Sequence, residues 1–283
     1  MYYSNTMAFE KIRASQFDID TNLFQMDTLV VAEVDEHRTG EYVRKYADSH
    51  QWAKREDADT PKRTLPETFD EFYHDASWFR DLRTMLDKKA FGPAEPSMRE
   101  SVLHAQEISF NTGRMHTPEA IQQGIKQYML ETFDTWDQDY FLHEAKLQGV
   151  ISKKGKFEHA IDTYFASRLK IYPIYSDRFD DYFWLERFSD TAQLRKQMAY
   201  DNYASYLRTK YGPDKLITLG FSEDTASNLE AVKNWIATQL ANNPEYANFY
   251  QVFYLTRQPN TIEKTWLKTK MEVVKALTAK KII

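Results

Sequence analysis

Aromatic side chains at helical spacing are the feature that most constrains how this chain of 283 residues can fold. The chain contains 18 Phe, 18 Tyr and 6 Trp residues. The most regular group occupies the i, i+3, i+4, i+7 and i+8 positions of one helix face: Tyr246, Phe249, Tyr250, Phe253 and Tyr254. This spacing predicts an amphipathic helix that buries large, stiff side chains. We therefore expect an all-α protein, a multi-helix domain or helical bundle with an aromatic-rich core.

The composition agrees with a globular helical chain. Hydrophobic residues make up 42% and charged residues 28% of the sequence, which is too apolar for a disordered chain. Only 8 Gly and 9 Pro are present, and turn-rich β architectures need more of both. The best candidate for a domain boundary is the segment of residues 148–156. We predict a single domain over residues 1–283, with a boundary near residue 150 as the alternative.

Local signals mark the ends of several expected helices. Thr117 followed by Pro118 is typical of a helix start, because the Thr hydroxyl caps a free N–H and Pro suits the first turn. Ser97 and Glu100 form a capping-box pattern for a helix that we expect to reach about Phe110. The early segment leaves two alternatives open. It is either one long helix from 22 to 54, or a short strand near residues 28–34 followed by a helix.

Composition and charge exclude several classes of function. The chain has no Cys, which rules out disulfides, zinc–thiolate sites, iron–sulfur clusters and cysteine nucleophiles. A net charge of −5 argues against general nucleic-acid binding, which requires a basic surface. Neither of the common glycine-rich phosphate-binding patterns occurs. The first residues lack a signal-peptide pattern, and no apolar run is long enough to span a bilayer, so we expect a cytoplasmic protein with no membrane span.

One short motif suggests a catalytic pair, Arg99 and His104 in the segment Arg-Glu-Ser-Val-Leu-His. It resembles the Arg-x4–6-His motif of HEPN ribonucleases, a helical family that cleaves RNA without a metal. The resemblance covers six residues, and Glu100 stands where that family more often has Asn, Asp or His. It implies that Arg99 would stabilise phosphate charge and His104 would transfer a proton.

Carboxylate and imidazole side chains at helical spacing raise the alternative of a metal site. Glu71 and His74 have the i, i+3 spacing of di-iron bundles. Glu100, His104 and Glu107 would share one face of a single helix. A di-iron bundle needs two such Glu-x-x-His pairs and only one occurs, so we assign no metal ligands. A metal-dependent helical enzyme is kept as the second alternative function.

The C-terminal segment 261–283 is basic and amphipathic, and we expect it to form a helix. Trp266, Lys268 and Lys275 are its candidate interface residues. The sequence as a whole favours a non-catalytic protein that binds a small apolar ligand or a protein partner. The first alternative is a metal-independent ribonuclease that uses Arg99 and His104. Cofactor, partner identity and oligomeric state are not predicted.

Overall fold

The computed structural model of the chain describes residues 11–26, 29–35, 37–48, 62–65, 74–153, 155–183, 185, 191–242, 246, 248–257 and 261–266. These residues contain both strands and helices, beginning with four successive strands. The strands are β1 Lys11–Phe17, β2 Leu29–Val34, β3 Val43–Asp48, β4 Lys62–Thr64, β5 Glu107–Thr112, β6 Leu169–Pro173, β7 Leu216–Glu223, β8 Phe249–Arg257 and β9 Thr261–Trp266. The helices are α1 Asp75–Lys88, α2 Glu95–Leu103, α3 Pro118–Thr132, α4 Thr135–Leu147, α5 Phe157–Arg168, α6 Asp177–Phe183, α7 Ala192–Tyr211 and α8 Ala226–Asn242.

The main sheet has six strands in the order β6-β5-β1-β7-β8-β9. The first five are parallel to their neighbours, and β9 pairs antiparallel with β8 at the edge. A small antiparallel sheet, in the order β3-β2-β4, is inserted between β1 and α1. Strands from both sides of residue 150 belong to the main sheet.

The strand order changes direction at β1. The chain first proceeds from β1 outward to β5 and β6, then returns to β7 on the other side of β1. Two adjacent parallel strands whose connections leave in opposite directions form a topological switch point, and a crevice opens there at their carboxyl ends. In this protein, β1 and β7 are those two strands.

Helices cover the sheet on both faces and enclose two hydrophobic cores. One core joins Phe17, Ile108 and Phe110 of the sheet to side chains from α1 to α5. The other joins apolar residues of β7 and β8, including Phe221 and Phe253, to α7 and α8. The buried positions of the parallel strands are mixed: β7 is largely apolar, whereas β1 and β5 also carry polar residues such as Gln16, Ser109 and Asn111.

The prediction of an all-α helical bundle is wrong, and the aromatic group 246–254 shows why. Phe249 to Tyr254 lie in β8, while Tyr246 precedes that strand. Burial of Tyr246, Phe249 and Phe253 was predicted correctly. The secondary structure of the group was predicted wrongly, because a continuous run of aromatic and apolar residues satisfies helical spacing as well as strand alternation. Phe and Tyr also favour strands over helices.

Two further strands replace expected helical segments. The helix expected from Ser97 to Phe110 is the shorter α2, which has Ala94 as its N-cap, followed by β5. Residues 261–266 form β9 rather than the start of a terminal helix, and the remainder of that segment lies outside the described residues.

Other local predictions are confirmed. The short strand near residues 28–34 is β2, and the alternative of a single helix there is wrong. The helix expected after that strand is also wrong, since residues 43–48 form β3. Thr117 caps α3 by accepting a hydrogen bond from the N–H of Ala120.

Candidate functional site

The candidate site lies at the carboxyl ends of β1 and β7. Phe17 of β1 is in register with Ser222 of β7, so the residues that follow them, Asp18 and Glu223, lie side by side. The N–H of Asp18 donates to the carbonyl oxygen of Ser222 at 3.0 Å, which extends the pairing by one residue beyond the strand. Parallel pairing therefore brings together side chains from opposite ends of the chain.

Three carboxylates converge at this point. One oxygen from each of Asp18, Glu223 and Asp224 lies within 4.8 Å of the other two. Asp18 and Glu223 are buried, whereas Asp224 is partly exposed. The three side chains thus offer a set of oxygen ligands that opens toward solvent.

Lys196 of α7 supplies the cation that faces this cluster. Its Nζ donates to Oδ1 of Asp18 at 2.9 Å and to Oε2 of Glu223. Lys196 is buried near the start of α7, whose N-terminus is capped by the Thr191 hydroxyl. Burial alone would lower the pKa of Lys196, but the charges of Asp18 and Glu223 raise it above its ordinary value, so the ammonium stays charged.

One ammonium does not balance three carboxylates. Burial raises the pKa of Asp18 from 3.8 to about 7, with Lys196 opposing the shift and Glu223 adding to it. Burial and the Asp18 charge raise the pKa of Asp224 to about 6. Burial also raises the pKa of Glu223. The cluster therefore carries a surplus of two negative charges when fully ionised, and a further cation would stabilise it.

Asn22 fixes the loop that follows β1. Its Nδ2 donates to the carbonyl oxygens of Asp18 and Ser222, both at 3.0 Å. Its Oδ1 accepts from the hydroxyl of Ser222 at 3.0 Å and from that of Thr256 at 2.8 Å. The buried Asn22 side chain therefore ties the ends of β1, β7 and β8 together, which holds the carboxylates in place.

Asn111 of β5 borders the cluster on the other side of β1. Phe110 is in register with Phe17, which places Asn111 beside Asp18. Its Nδ2 donates to the carbonyl oxygen of Lys196 at 3.1 Å, whereas its buried Oδ1 has no hydrogen-bond partner among the described residues. A buried acceptor that lacks a donor destabilises the fold by about 1–3 kcal/mol. This oxygen is a candidate contact for a bound ligand, independent of the carboxylates.

A second charged group adjoins the site through Asp20. Nε and Nη2 of Arg114, in the loop after β5, donate to the Asp20 carboxylate at 3.0 and 2.7 Å. Nη1 of Arg114 donates to Asp81 of α1 at 3.4 Å. Arg114 is fully buried, while the side chain of Asp20 is 33% exposed. The buried guanidinium thus orients an accessible carboxylate two residues after Asp18.

The residues predicted as a catalytic pair lie elsewhere, on and next to α2. Arg99 packs over the ring of Phe133 and donates to Asp137 and to the carbonyl oxygen of Thr132. His104 follows α2 as its C-cap and contacts Tyr140 at 3.3 Å.

The cavity near His104 lies at the opposite end of β1 from the carboxylates. His104 lines it together with Lys11, at the amino end of β1. The structure therefore does not bring His104 to the cluster of Asp18, Glu223 and Asp224.

The remaining predicted groups are also dispersed. Glu107 begins β5, so it does not share a helix face with Glu100 and His104. Glu71 lies outside the described residues, as do Lys268 and Lys275 of the proposed interface. Trp266 ends β9, where it is in register with Val252.

The sequence analysis missed the five ionisable residues at the switch point: Asp18, Asp20, Lys196, Glu223 and Asp224. One signal was available, since both acidic groups directly follow short runs of strand-forming residues. Carboxylates at the carboxyl ends of adjacent parallel strands are typical of α/β binding sites. The prediction of an all-α fold assigned no strand to Leu216–Glu223, so the position of Glu223 at the carboxyl end of a strand could not be recognised.

Comparisons of the chain with protein-family models, with curated proteins and with solved structures return no match. Among the described residues, no helix combines the length and the apolar character needed to cross a membrane.

Proposed function

We propose that this protein is a divalent-cation-dependent phosphohydrolase in which Asp18 accepts the phosphoryl group before water releases it. The observation that carries the proposal is the convergence of the Asp18, Glu223 and Asp224 carboxylates at the switch point between β1 and β7. Ligands of open α/β sheets bind in this crevice.

The charge and the donor atoms favour a hard divalent cation. All three candidate ligands are carboxylate oxygens, which Mg²⁺ prefers, and the chain contains no Cys that would favour a soft metal. The surplus of two negative charges over Lys196 matches the charge of one such ion. Its binding would also lower the pKa of Asp18, whose carboxylate must be ionised to act as a nucleophile.

Phosphate is the substrate group that fits this combination. Mg²⁺ in proteins is commonly held by one or two carboxylates together with substrate phosphates. Lys196 adds a fixed positive charge beside Asp18, and a Lys ammonium is a common phosphate contact. Because the whole chain is acidic, we expect a small phosphate monoester rather than a nucleic-acid polymer.

The proposed reaction has two steps. The carboxylate of Asp18 attacks phosphorus, the ester P–O bond breaks, and the departing oxygen takes a proton from the protonated carboxyl group of Asp20. A water molecule then gives a proton to Asp20 and attacks the phosphoaspartate, which breaks its P–O bond and regenerates Asp18. Carboxylate nucleophiles of this kind divide one difficult displacement into two easier ones. The bound cation would neutralise charge on the phosphoryl oxygens in both steps.

The test is hydrolysis of p-nitrophenyl phosphate by the purified full chain. We expect activity with Mg²⁺ that EDTA abolishes, and a loss of about a thousandfold or more in Asp18→Asn. Asp87→Asn, which removes an exposed carboxylate of α1, is the matched control and should retain full activity. An acid-quenched reaction should carry phosphate on the peptide that contains Asp18. Activity that persists in EDTA, or in Asp18→Asn, would contradict the proposal.

Binding of a small apolar ligand is a second candidate function, and a separate cavity favours it. A pocket of about 560 Å³ lies between β6, α6 and α7 and is lined in part by Tyr172, Phe179 and Phe183. Its size and its aromatic lining are typical of small-molecule sites. Fluorescence titration with an apolar dye, compared between wild type and Phe183→Ala, tests this candidate. Equal dye affinity in the two proteins would contradict it.

Metal-independent RNA cleavage by Arg99 and His104 stays a prediction. The ion pair between Arg99 and Asp137 occupies the guanidinium that would have to bind phosphate, so we place it below the two proposals above.

A further inference from the structure

Thr21, in the loop after β1, has a backbone conformation that a β-branched residue rarely adopts. Its φ is +56°, in the left-handed region. Three other non-glycine residues within the described ranges share positive φ: Lys89 ends α1, Ala105 follows α2, and Arg38 lies in the turn between β2 and β3. Left-handed residues are common at such helix ends and turns. Thr21 is the β-branched member of the group, and it lies in the candidate site.

The surrounding backbone holds Thr21 in this conformation. Its N–H donates to the carbonyl oxygen of Phe24 at 2.9 Å. The N–H of Gly92 donates to Leu23 at 2.7 Å, and a Cβ at position 92 would collide with the backbone of Asn22. These contacts fix Thr21 and the three residues that follow it, so the strain persists in the folded protein.

Glycine would adopt this φ without strain, but it would lack the Thr21 hydroxyl. That hydroxyl contacts Oδ2 of Asp224, and its single proton is shared between this carboxylate and the carbonyl oxygen of Asp20, which lies 2.8 Å away. Asp224 is the partly exposed member of the carboxylate cluster and lies beyond the end of β7, where strand pairing no longer fixes it. The contact from Thr21 therefore supplies an orientation that the sheet itself does not provide.

We propose that Thr21 is a positioning residue that orients Asp224 toward the divalent cation, and that backbone strain is retained at Thr21 because glycine cannot make this contact. The inference rests on the proposed function, since it assumes that the carboxylates bind a cation. Strained residues cluster at functional sites when neighbouring contacts impose the conformation, as they do here.

Three substitutions separate the strain from the hydroxyl contact. Thr21→Ser keeps a hydroxyl, Thr21→Ala removes it but keeps a Cβ, and Thr21→Gly removes both. The measurements are Mg²⁺ affinity by calorimetry and the thermal midpoint in EDTA. We expect Thr21→Ala and Thr21→Gly to bind Mg²⁺ about tenfold more weakly than wild type, as loss of a ligand-orienting contact does, and Thr21→Ser to stay close to wild type. In EDTA, Thr21→Gly should unfold at a higher temperature than Thr21→Ala, because glycine relieves the strain.

The outcomes distinguish this inference from the proposed function. If wild type binds Mg²⁺, Asp224→Asn does not, and Thr21→Gly and Thr21→Ala bind as wild type does, the inference about Thr21 is wrong while the cation site stands. If Thr21→Gly unfolds below Thr21→Ala in EDTA, the strain argument is wrong. If wild type itself binds no divalent cation, the proposed function fails, and the inference fails with it.

Discussion

The ammonium of Lys196 lies between two buried carboxylates, 2.9 Å from Oδ1 of Asp18 and in hydrogen-bond contact with Oε2 of Glu223. Asp18 is 178 positions from Lys196 in the sequence, and the contact joins the end of β1 to the start of α7. A buried cation in this position holds together two groups that would otherwise repel each other. One ammonium against the three carboxylates of Asp18, Glu223 and Asp224 leaves two negative charges uncompensated when all three are ionised.

The uncompensated charge predicts an unusual dependence of stability on pH. The pKa of Asp18 is raised from 3.8 to about 7 and that of Asp224 to about 6. Between about pH 4 and pH 7 the folded protein therefore retains protons that the unfolded chain has lost. Stability from these groups is fully present below pH 3.8 and is lost as the pH rises through the folded values.

Urea unfolding in EDTA across this pH range checks the prediction. We expect the free energy of unfolding to fall between pH 4 and pH 7, with a smaller fall in Asp18→Asn and in wild type with Mg²⁺. An equal slope in wild type and in Asp18→Asn would show that the pKa of Asp18 is not raised.

If Asp20 donates the proton to the departing oxygen, the loss of hydrolysis rate in Asp20→Asn should depend on the leaving group. A nitrophenolate departs readily without a proton, whereas an alkoxide needs one, and a general acid contributes about 10²–10⁴-fold. Asp20→Asn should therefore slow the hydrolysis of glycerol 2-phosphate far more than that of p-nitrophenyl phosphate. Asp81→Asn is the matched control, because Asp81 contacts the same Arg114 from α1. It should affect both substrates alike, and equal losses for both substrates in Asp20→Asn would exclude Asp20 as the proton donor.

Substitution of Glu107 should lower the stability of the fold without changing cation binding at the candidate site. This buried carboxylate at the amino end of β5 accepts from Lys210 at 2.7 Å and from the hydroxyl of Tyr211, and it lies 3.1 Å from Arg168. Glu107→Gln would leave two cations facing a neutral amide. Breaking a buried pair costs about 3–5 kcal/mol, and we expect the lower end because both cations are partly exposed.

The urea midpoint of Glu107→Gln, measured beside Glu158→Gln as an exposed control, checks this value. A midpoint equal to that of the control would contradict it. Mg²⁺ affinity should not change in either variant, since Glu107 and the carboxylate cluster lie at opposite ends of the strands.

The parts of the fold that were predictable from sequence had local causes. Thr117 and Pro118 mark the start of α3 through hydrogen bonds within one turn, and Gly212 follows the end of α7 with φ +77°. Strands such as β8 were not predictable in this way, because the burial of Phe249 and Phe253 depends on neighbouring strands and on α7 and α8, which are distant in sequence. The sequence of one segment does not show which other elements pack against it, and its apolar pattern fits a buried helix equally well.

The candidate site was beyond local prediction for a related reason. Asp18 and Glu223 are adjacent only because β7 returns to pair with β1 after two intervening parallel strands. The local signal in each segment, acidic residues directly after a strand, does not show that the two segments are neighbours. Arg99 and His104, in contrast, form a recognisable local motif, but the structure uses Arg99 to join α2 to the α3–α4 junction.

Because residues 249–257 form a strand, we expect substitutions on the two faces of β8 to differ in their effect on stability. Phe253 is fully buried between β8, α7 and α8, where its ring packs against Tyr200. Tyr250 lies on the opposite face of the same strand and lines a partly open groove. Phe253→Ala should lower the free energy of unfolding by about 3–5 kcal/mol, as for other large core aromatics. Tyr250→Ala should cost clearly less, because its side chain already contacts solvent. On a helix, residues 250 and 253 would share one face and lose similar stability, so equal losses in chemical denaturation would contradict the strand assignment of β8.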